Sequence, residues 1–314
     1  MKKYFNTTGF CRPEKHYMLN PLRGLHDNIY QLIDNEQYFI LHAPRQTGKT
    51  TFLHSLAHQL NSEGKYTAVV FSVESAGYES ITEPQANEKM IKSLILAGTV
   101  FNIHPPEYNE LKHKNLQDYL AEWASKNSKP IVLLIDEIDS LYDDILVSVL
   151  RQLRNGFQFR PKDFPSSVAL VGLRDVRDYK MKSRPDGKSL GSGSPFNIKA
   201  KSFTLQNFNN LEVYELLSQH TTETGQKFPP EVAELIFNYT NGQPWLVNAM
   251  ANHIITRILK NDITQEITKE IVIQAKEDLI LRRDTHLDSL IDKLREDRVR
   301  KIVMAIVNGE ELLY

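Results

Sequence analysis

The sequence predicts an α/β domain built on a parallel sheet, followed by an all-helical part. Short uninterrupted apolar runs alternate with helical patterns up to about residue 205, and after about residue 206 only helical patterns remain. Runs rich in Val, Ile and Leu indicate strands that are buried on both faces, as in a parallel sheet. Their alternation with helices predicts three layers, with helices on both faces of the sheet.

The individual elements follow from local patterns. The predicted strands are Tyr38–Ala43, Tyr66–Val73, Pro130–Asp136, Ser167–Leu173 and an edge strand at Phe196–Leu205. Apolar spacing between Phe52 and Leu60 predicts a helix after the first strand. Prolines before residue 231 and a glycine at residue 242 delimit another helix. Three further helices are expected, at about 245–259 and within 287–294 and 299–306.

Composition narrows the function classes. The chain has 314 residues and 41% hydrophobic content, enough for one large core or two modest ones. The net charge of −1 gives no global basic field for nucleic acid. The single cysteine, Cys11, excludes an internal disulfide and fits a reducing compartment. No signal peptide is visible, and the apolar runs are too short to span a bilayer, so we expect a cytoplasmic protein without membrane contact.

The most informative segment is APRQTGKT, residues 43–50. It matches the P-loop pattern G-x-x-x-x-G-K-[ST], except that Ala43 replaces the first glycine. Lys49 is predicted to reach the β- and γ-phosphates of a nucleotide, and Thr50 to bind Mg²⁺. The complete predicted phosphate site is Ala43, Pro44, Arg45, Gln46, Thr47, Gly48, Lys49, Thr50 and Thr51.

An acidic cluster ends the third predicted strand. The run at 131–135 continues directly into Asp136, Glu137 and Asp139, which is a Walker B pattern. Asp136 is predicted to orient the magnesium shell, and Glu137 to polarise the attacking water. Asp139 either assists them or caps the next helix. The long segment between the P-loop and this cluster predicts an additional central strand between them.

Two further segments suggest contacts with nucleotide. Arg174 follows the fourth predicted strand, where it would either sense a γ-phosphate or lie on the surface. Pro244 begins a helix after a glycine turn and would either pack on adenine or belong to an ordinary helix–helix corner around Trp245. The segment Ser183–Pro195 is predicted to be a surface loop. Several basic residues lie in or near this segment, namely Arg177, Lys180, Lys182 and Arg184. We interpret them as part of a solvated loop in preference to an arginine finger that would reach the nucleotide of a neighbouring subunit.

The motif order APRQTGKTT, LLIDEID, ALVGLRD, NGQPWLVN resembles the AAA-like and STAND class of P-loop ATPases. The N-terminal part, KYFNTTGFCRPEKHYM through YFILHAPRQTGKTT, is similar to bacterial AAA-like domain ATP-binding proteins.

This resemblance implies binding of ATP and Mg²⁺. It also implies a three-layer P-loop NTPase core with a parallel sheet, an all-helical lid and the start of a winged-helix segment. It implies that Arg23 contacts the base, with Met18 and Leu22 as apolar contacts. The implied boundaries are 1–36 for the base-binding segment, 37–205 for the core, 206–285 for the lid and 286–314 for a helical linker. Two features depart from the class, namely Ala43 in place of glycine and the lack of a recognisable effector domain.

Three functions remain open from the sequence. The leading one is a nucleotide-dependent switch with slow Mg-dependent ATP hydrolysis, which acts as a homo-oligomer or on a separate effector module. The first alternative is a DNA-associated AAA+ ATPase resembling archaeal origin-recognition proteins. Acidic residues interleave with the basic ones over residues 282–301, which favours a solvated helix face over a nucleic-acid contact. The second alternative is a small-molecule kinase, against which Glu137 argues because it favours water as the acceptor.

Overall fold

The computed structural model describes residues 2–24, 26–173, 198–282, 294 and 297–308. The chain divides into two compact units. The α/β unit comprises Phe10–Arg12 and Met18–Asn207, and the helical unit comprises Met1–Gly9, Pro13–Tyr17 and Phe208–Tyr314. The N-terminal segment, which the sequence predicted as one piece, is therefore shared between the two units.

The α/β unit contains a five-stranded sheet. Its strands are β1 (Tyr38–His42), β2 (Thr67–Ser72), β3 (Ile131–Asp136), β4 (Ser167–Gly172) and β5 (Lys199–Thr204). Their order in the sheet is β2-β3-β4-β1-β5, and all neighbours are parallel. The predicted parallel sheet is confirmed, and β5 is an edge strand as expected.

The strand between β1 and β3 comes from an unexpected part of the chain. The sequence predicted an additional central strand there, and the strand exists, but it is β4, which follows β3 in the chain. The long segment between the two motifs instead supplies β2 at the far edge. The interpretation of that segment was wrong because segment length shows that a crossover exists but does not determine which position in the sheet the next strand takes.

Helices cover both faces of this sheet, so the three-layer prediction is confirmed. They are α1 (His26–Asp34), α2 (Lys49–Glu63), α3 (Glu83–Val100), α4 (Leu116–Lys126) and α5 (Asp143–Gly156). Alternate residues of β1 serve different faces: Phe39 packs with α1 and α2, whereas Ile40 packs with α3, α4 and α5. This alternation follows from the two-residue repeat of a strand. Because the strands are parallel, their carboxyl ends all lie at the same end of the sheet, where α2 begins.

The helical unit contains α6 (Asn210–Thr224), α7 (Pro230–Thr240), α8 (Pro244–His253), α9 (Lys269–Leu281) and α10 (Asp297–Val307). A π-helical turn at Ile254–Ile258 extends α8, so the predicted helix at 245–259 changes type along its length. Gly242 has φ 66°, and a Cβ there would lie 1.8 Å from the Phe208 carbonyl oxygen, so this corner requires glycine. The helix predicted within 287–294 lies almost wholly outside the described residues. No helix in the described part of the chain is long and apolar enough to cross a membrane.

Candidate functional site

The loop between β1 and α2 is fixed by the sheet and by two backbone conformations. The Ala43 amide donates to the Gly172 carbonyl across 3.2 Å, which ties the start of the loop to the end of β4. Gln46 and Gly48 both have positive φ, at 61° and 91°. A Cβ on Gly48 would meet nothing within 4 Å, so the glycine here provides conformation and leaves open space beside the loop.

Lys49 is held over the loop by the loop itself. Its Nζ donates to the carbonyl oxygens of Ala43 and Pro44, both at 2.8 Å. Burial lowers the pKa of Lys49, and the carboxylates of Asp136 and Asp139 act in the opposite direction. The ammonium group thus lies among carbonyl acceptors and nearby carboxylates, where incoming phosphate oxygens would be alternative acceptors.

Thr50 and Asp136 link the first turn of α2 to the end of β3. The Thr50 hydroxyl donates to Asp136 Oδ2 across 2.8 Å, and the Glu137 amide donates to Asp136 Oδ1 across 2.9 Å. Asp136 is only 4% exposed. Burial raises the pKa of this carboxyl, and its two hydrogen bonds together with the Lys49 charge oppose that rise. Because both carboxylate oxygens are engaged, the orientation of the group is defined.

The donor set at this point fits a magnesium ion that arrives with a nucleotide. Hydroxyl and carboxylate oxygens are the ligands that Mg²⁺ prefers, and Mg²⁺ usually keeps several waters and binds one or two carboxylates plus substrate phosphates. Thr50 and Asp136 provide such oxygens next to the phosphate loop. Within the described ranges, no group of three or more His, Cys, Asp or Glu side chains could hold a metal ion.

Glu137 lies beside this pair in a constrained position. Its backbone is left-handed, with φ 59°, and its side chain is half-buried. The Ser72 hydroxyl donates to Glu137 Oε2, and Ser72 Oγ in turn accepts from the Glu74 amide across 3.1 Å. Burial raises the pKa of Glu137, the Ser72 hydrogen bond opposes this, and the charges of Glu74 and Asp136 add to it.

Sequence reasoning missed Ser72. It is the last residue of β2 and pairs in register with Asp136 on β3. A polar residue that ends an otherwise apolar strand was the available signal, but its partner depends on the register, which the sequence does not determine.

The structure excludes one of the two alternatives for Asp139. Its Oδ1 accepts from the Leu173 amide across 3.1 Å, so the carboxylate ties the turn after β3 to the end of β4. The N-cap position of α5 is held by Tyr142. The capping alternative is therefore wrong, because the next helix starts later than the sequence suggested.

The remaining predicted residues lie in different places. Arg23 Nη2 contacts the Gln206 carbonyl at 3.4 Å within the α/β unit. Thr51 Oγ1 accepts from the Cys11 amide at 3.0 Å. In the loop, Ala43 and Thr47 are buried, whereas Pro44, Arg45 and Gln46 are exposed.

The nucleotide contacts predicted for Arg23, Pro244 and Arg174 remain predictions, as do the roles of the loop residues. Pro244 is buried at the first position of α8 in the helical unit, and its predicted contact with the base stays a prediction. Arg174 lies outside the described residues, as do Arg177, Lys180, Lys182, Arg184 and the segment Ser183–Pro195.

A phosphate loop, a Walker B strand end and a parallel sheet of this order define the class of P-loop NTPases. The AAA domain family matches residues 33–179, slightly less than half of the chain. This match supports an AAA-like P-loop ATPase domain in this part of the chain.

Solved structures share this fold at low sequence identity. The Walker-type ATPase PABY2304 of Pyrococcus abyssi is 14% identical with a TM-score of 0.65, over 94% of this chain and 80% of that one. Domain III of the replication initiation protein DnaA from Thermotoga maritima is 10% identical with a TM-score of 0.52, over 83% and 93%. A RuvB variant from Thermotoga maritima is 16% identical with a TM-score of 0.50, over 93% and 82%. Among curated proteins, no sequence matches this chain significantly.

Proposed function

We propose that the chain binds ATP with Mg²⁺ at the P-loop, hydrolyses it slowly and uses the bound nucleotide to change conformation, as a switch of the AAA-like and STAND type. The observation that carries this proposal is the 2.8 Å hydrogen bond between Thr50 and Asp136, next to the Lys49 ammonium group. This bond joins the phosphate loop to the acidic strand end, so the two parts of the proposed nucleotide site lie next to each other.

Each residue of the site has a defined part in binding. Lys49 would exchange its two carbonyl acceptors for phosphate oxygens, which are charged and give stronger hydrogen bonds. The amides of the loop and of the first turn of α2 add donors at a helix N-terminus, where a negative charge is stabilised. Thr50 and Asp136 would hold Mg²⁺, which supplies neutralisation of phosphate charge when bound.

Glu137 is the proposed general base. It would accept a proton from the attacking water as a bond forms between the water oxygen and the γ-phosphorus. The bond between that phosphorus and the bridging oxygen breaks, and ADP leaves with the electron pair. A carboxylate with a raised pKa is better suited to accept this proton than an ordinary one.

The contacts of Glu137 support slow turnover. The Ser72 hydroxyl donates to Oε2 and stabilises the charged carboxylate, which makes Glu137 a weaker base. We propose that this contact keeps basal hydrolysis low, as a switch requires.

The switch itself requires a difference between ATP and ADP. We propose that Arg174 contacts the γ-phosphate and that Arg23 and Pro244 contact the base, as the resemblance implies. A ligand shifts a conformational equilibrium only through its differential affinity for the two states. The output would be passed to a second copy of the chain or to a separate effector.

The DNA-associated alternative rests on fold likeness alone. The DnaA and RuvB structures share the architecture at 10% and 16% identity, and a common fold does not imply a common function. Filter binding of DNA at two salt concentrations tests this alternative, since phosphate contacts weaken steeply with salt. The switch remains the leading proposal because acidic residues interleave with the basic ones over residues 282–301, which favours a solvated helix face over a nucleic-acid contact.

Titration calorimetry with ATP and Mg²⁺, followed by a phosphate-release assay, tests the proposal. We expect saturable binding that is weakened by removing Mg²⁺, together with slow release of phosphate. Binding without any phosphate release would retain the site but remove the hydrolysis. A lack of binding by the folded protein would contradict the proposal as a whole.

A further inference from the structure

Three residues near the N-terminus belong to the α/β unit, whereas their neighbours on both sides belong to the helical unit. They are Phe10, Cys11 and Arg12, which we call the tip. The flanking stretches are Met1–Gly9 and Pro13–Tyr17. The chain thus enters the α/β unit for three residues only, which requires specific contacts to hold the tip there.

The tip contacts the first two turns of α2. The Cys11 amide donates to Thr51 Oγ1 across 3.0 Å. The Phe10 ring lies parallel to the His54 ring, with centroids 4.2 Å apart and planes 3° apart. Arg12 places its guanidinium carbon 5.3 Å from the Phe10 centroid. Thr51 and His54 are three residues apart and share one helix face, so the tip binds a continuous surface directly behind the phosphate loop.

The His54 ring has a second aromatic neighbour. Phe101 stacks on it with centroids 5.5 Å apart, so His54 contacts two aromatic residues. Its Nδ1 is buried without a hydrogen-bond partner in the described part of the chain. Burial lowers the pKa of His54, and the nearby His58 and Arg12 act in the same direction. These surroundings favour the neutral imidazole, which suits aromatic stacking.

The residues on either side of the tip are anchored in the helical unit. Phe5 and Tyr17 are 1% and 2% exposed, and both rings contact His220. The Trp245 indole N–H donates to the Thr7 carbonyl across 2.9 Å. These anchors lie within a few residues of the tip, so short covalent segments join the tip to the helical unit.

We propose that the tip positions the first turns of the P-loop helix and carries nucleotide occupancy along the chain to the helical unit. The inference rests on the proposed ATP binding. Thr51 directly follows Thr50, so phosphate and Mg²⁺ binding orders the turn that Cys11 contacts. A change in that turn alters the tip, and the short anchored flanks pass the change to residues 9 and 13.

The single cysteine offers a direct probe of tip docking. Cys11 is half-buried, so its rate of alkylation by a maleimide reports how often the tip opens. We expect a non-hydrolysable ATP analogue with Mg²⁺ to slow alkylation of the parental protein. Phe10→Ala and His54→Gln each remove one ring of the stack and should raise the rate roughly two- to tenfold. Phe159→Ala removes a half-exposed phenylalanine elsewhere and serves as the matched control.

Amide exchange in the helical unit gives the second readout. The parental protein and Phe159→Ala should show a nucleotide-dependent difference there, and Phe10→Ala should lose most of it while still binding nucleotide in calorimetry. Equal alkylation rates for Phe10→Ala, His54→Gln and the control would overturn the docking contact. An unchanged exchange response in Phe10→Ala would overturn the coupling and leave ATP binding intact. No nucleotide binding by the parental protein would instead remove the proposed function and the coupling together.

Discussion

Ser72 and Glu137 form a hydrogen-bonded pair across two neighbouring strand ends, with the serine hydroxyl donating to the carboxylate. The pair exists because β2 and β3 are in register at Ser72 and Asp136, which places Glu137, the first residue after β3, beside the serine. A donor on a carboxylate stabilises its charged form and makes it a weaker base. The contact therefore restrains the residue that we propose as the general base.

Ser72→Ala should raise the rate of ATP hydrolysis. The variant removes a hydrogen bond that lowers the basicity of Glu137. Since one hydrogen bond contributes about 1 kcal/mol, we expect kcat to rise roughly two- to tenfold with little change in KM. Steady-state phosphate release measures both constants. Ser125→Ala on α4 is the control, and a lower kcat in Ser72→Ala would show that the serine positions the base instead of restraining it.

Lys49→Ala should abolish measurable ATP binding. The Lys49 ammonium donates to two loop carbonyls at 2.8 Å, and charge-assisted bonds to phosphate are among the stronger polar contacts. We expect affinity to fall by roughly a hundredfold or more, measured by calorimetry. Lys65→Ala removes an exposed lysine paired with Asp34 and should bind ATP like the parental protein. Equal affinities of the two variants would argue against the P-loop assignment.

Glu137→Gln should separate binding from hydrolysis. The amide keeps the shape of the side chain but cannot accept the proton, so binding of Mg-ATP should stay near the parental value. Loss of a general base reduces turnover by roughly 10²- to 10⁴-fold. Calorimetry and phosphate release on the same preparation test both expectations. Glu88→Gln, which changes an exposed carboxylate on α3, provides the control. Parental turnover in Glu137→Gln would mean that another group is the base.

The sequence predicted those parts of the site whose spacing along the chain is set by the chemistry of phosphate and Mg²⁺ binding. Lys49 and Thr50 must follow the loop directly, and Asp136 must end a buried strand, so a one-dimensional pattern captures them. The contacts of Ser72 and Asp139 depend on strand register and on which strand lies between β1 and β3. Neither the strand register nor the strand order can be derived from local periodicity.

The N-terminal segment shows the same limit at the level of domains. The family resemblance implied a single role, base binding, for all of residues 1–36. In the structure, Phe10 and Cys11 contact α2, whereas Phe5 and Tyr17 are buried in the helical unit. These contacts join residues far apart in the chain, and their partners are fixed only by tertiary packing.

A stability prediction concerns Glu122 on α4. Hydrogen bonds from Lys112, Lys126 and His113 lower the pKa of this carboxyl to about 2. A carboxyl whose pKa is depressed in the folded state stabilises the fold above its unfolded pKa, and this contribution is lost as the pH falls toward the folded pKa. The relevant window therefore lies between about pH 4.5 and pH 2.

Glu122→Gln should accordingly destabilise the protein at pH 7 and change its stability little near pH 2. The lysine side chains are 58% and 62% exposed, so solvent screening reduces the effect to about 1 kcal/mol. Denaturant unfolding at several pH values measures the difference. Glu88→Gln, which breaks one exposed ion pair with Lys92, should show a smaller loss at pH 7. A constant difference between Glu122→Gln and the parental protein from pH 7 to pH 2 would contradict the ionic origin.

The final prediction addresses the switch. An ATP analogue and ADP differ at the γ-phosphate, so only groups that contact this phosphate can distinguish them. If Arg174 is such a group, the ATP-bound protein has an interaction free energy that the ADP-bound protein lacks, and its conformational equilibrium shifts accordingly. We expect slower amide exchange around Gly242–Trp245 with the ATP analogue than with ADP, measured by mass spectrometry on saturated complexes. Arg174→Ala should bind both nucleotides and remove most of the difference, whereas Arg257→Ala, in the π-helical turn, should retain it. Identical exchange of this segment in both complexes of the parental protein would leave nucleotide binding intact and exclude the switch, because a ligand with equal affinity for two states cannot shift their populations.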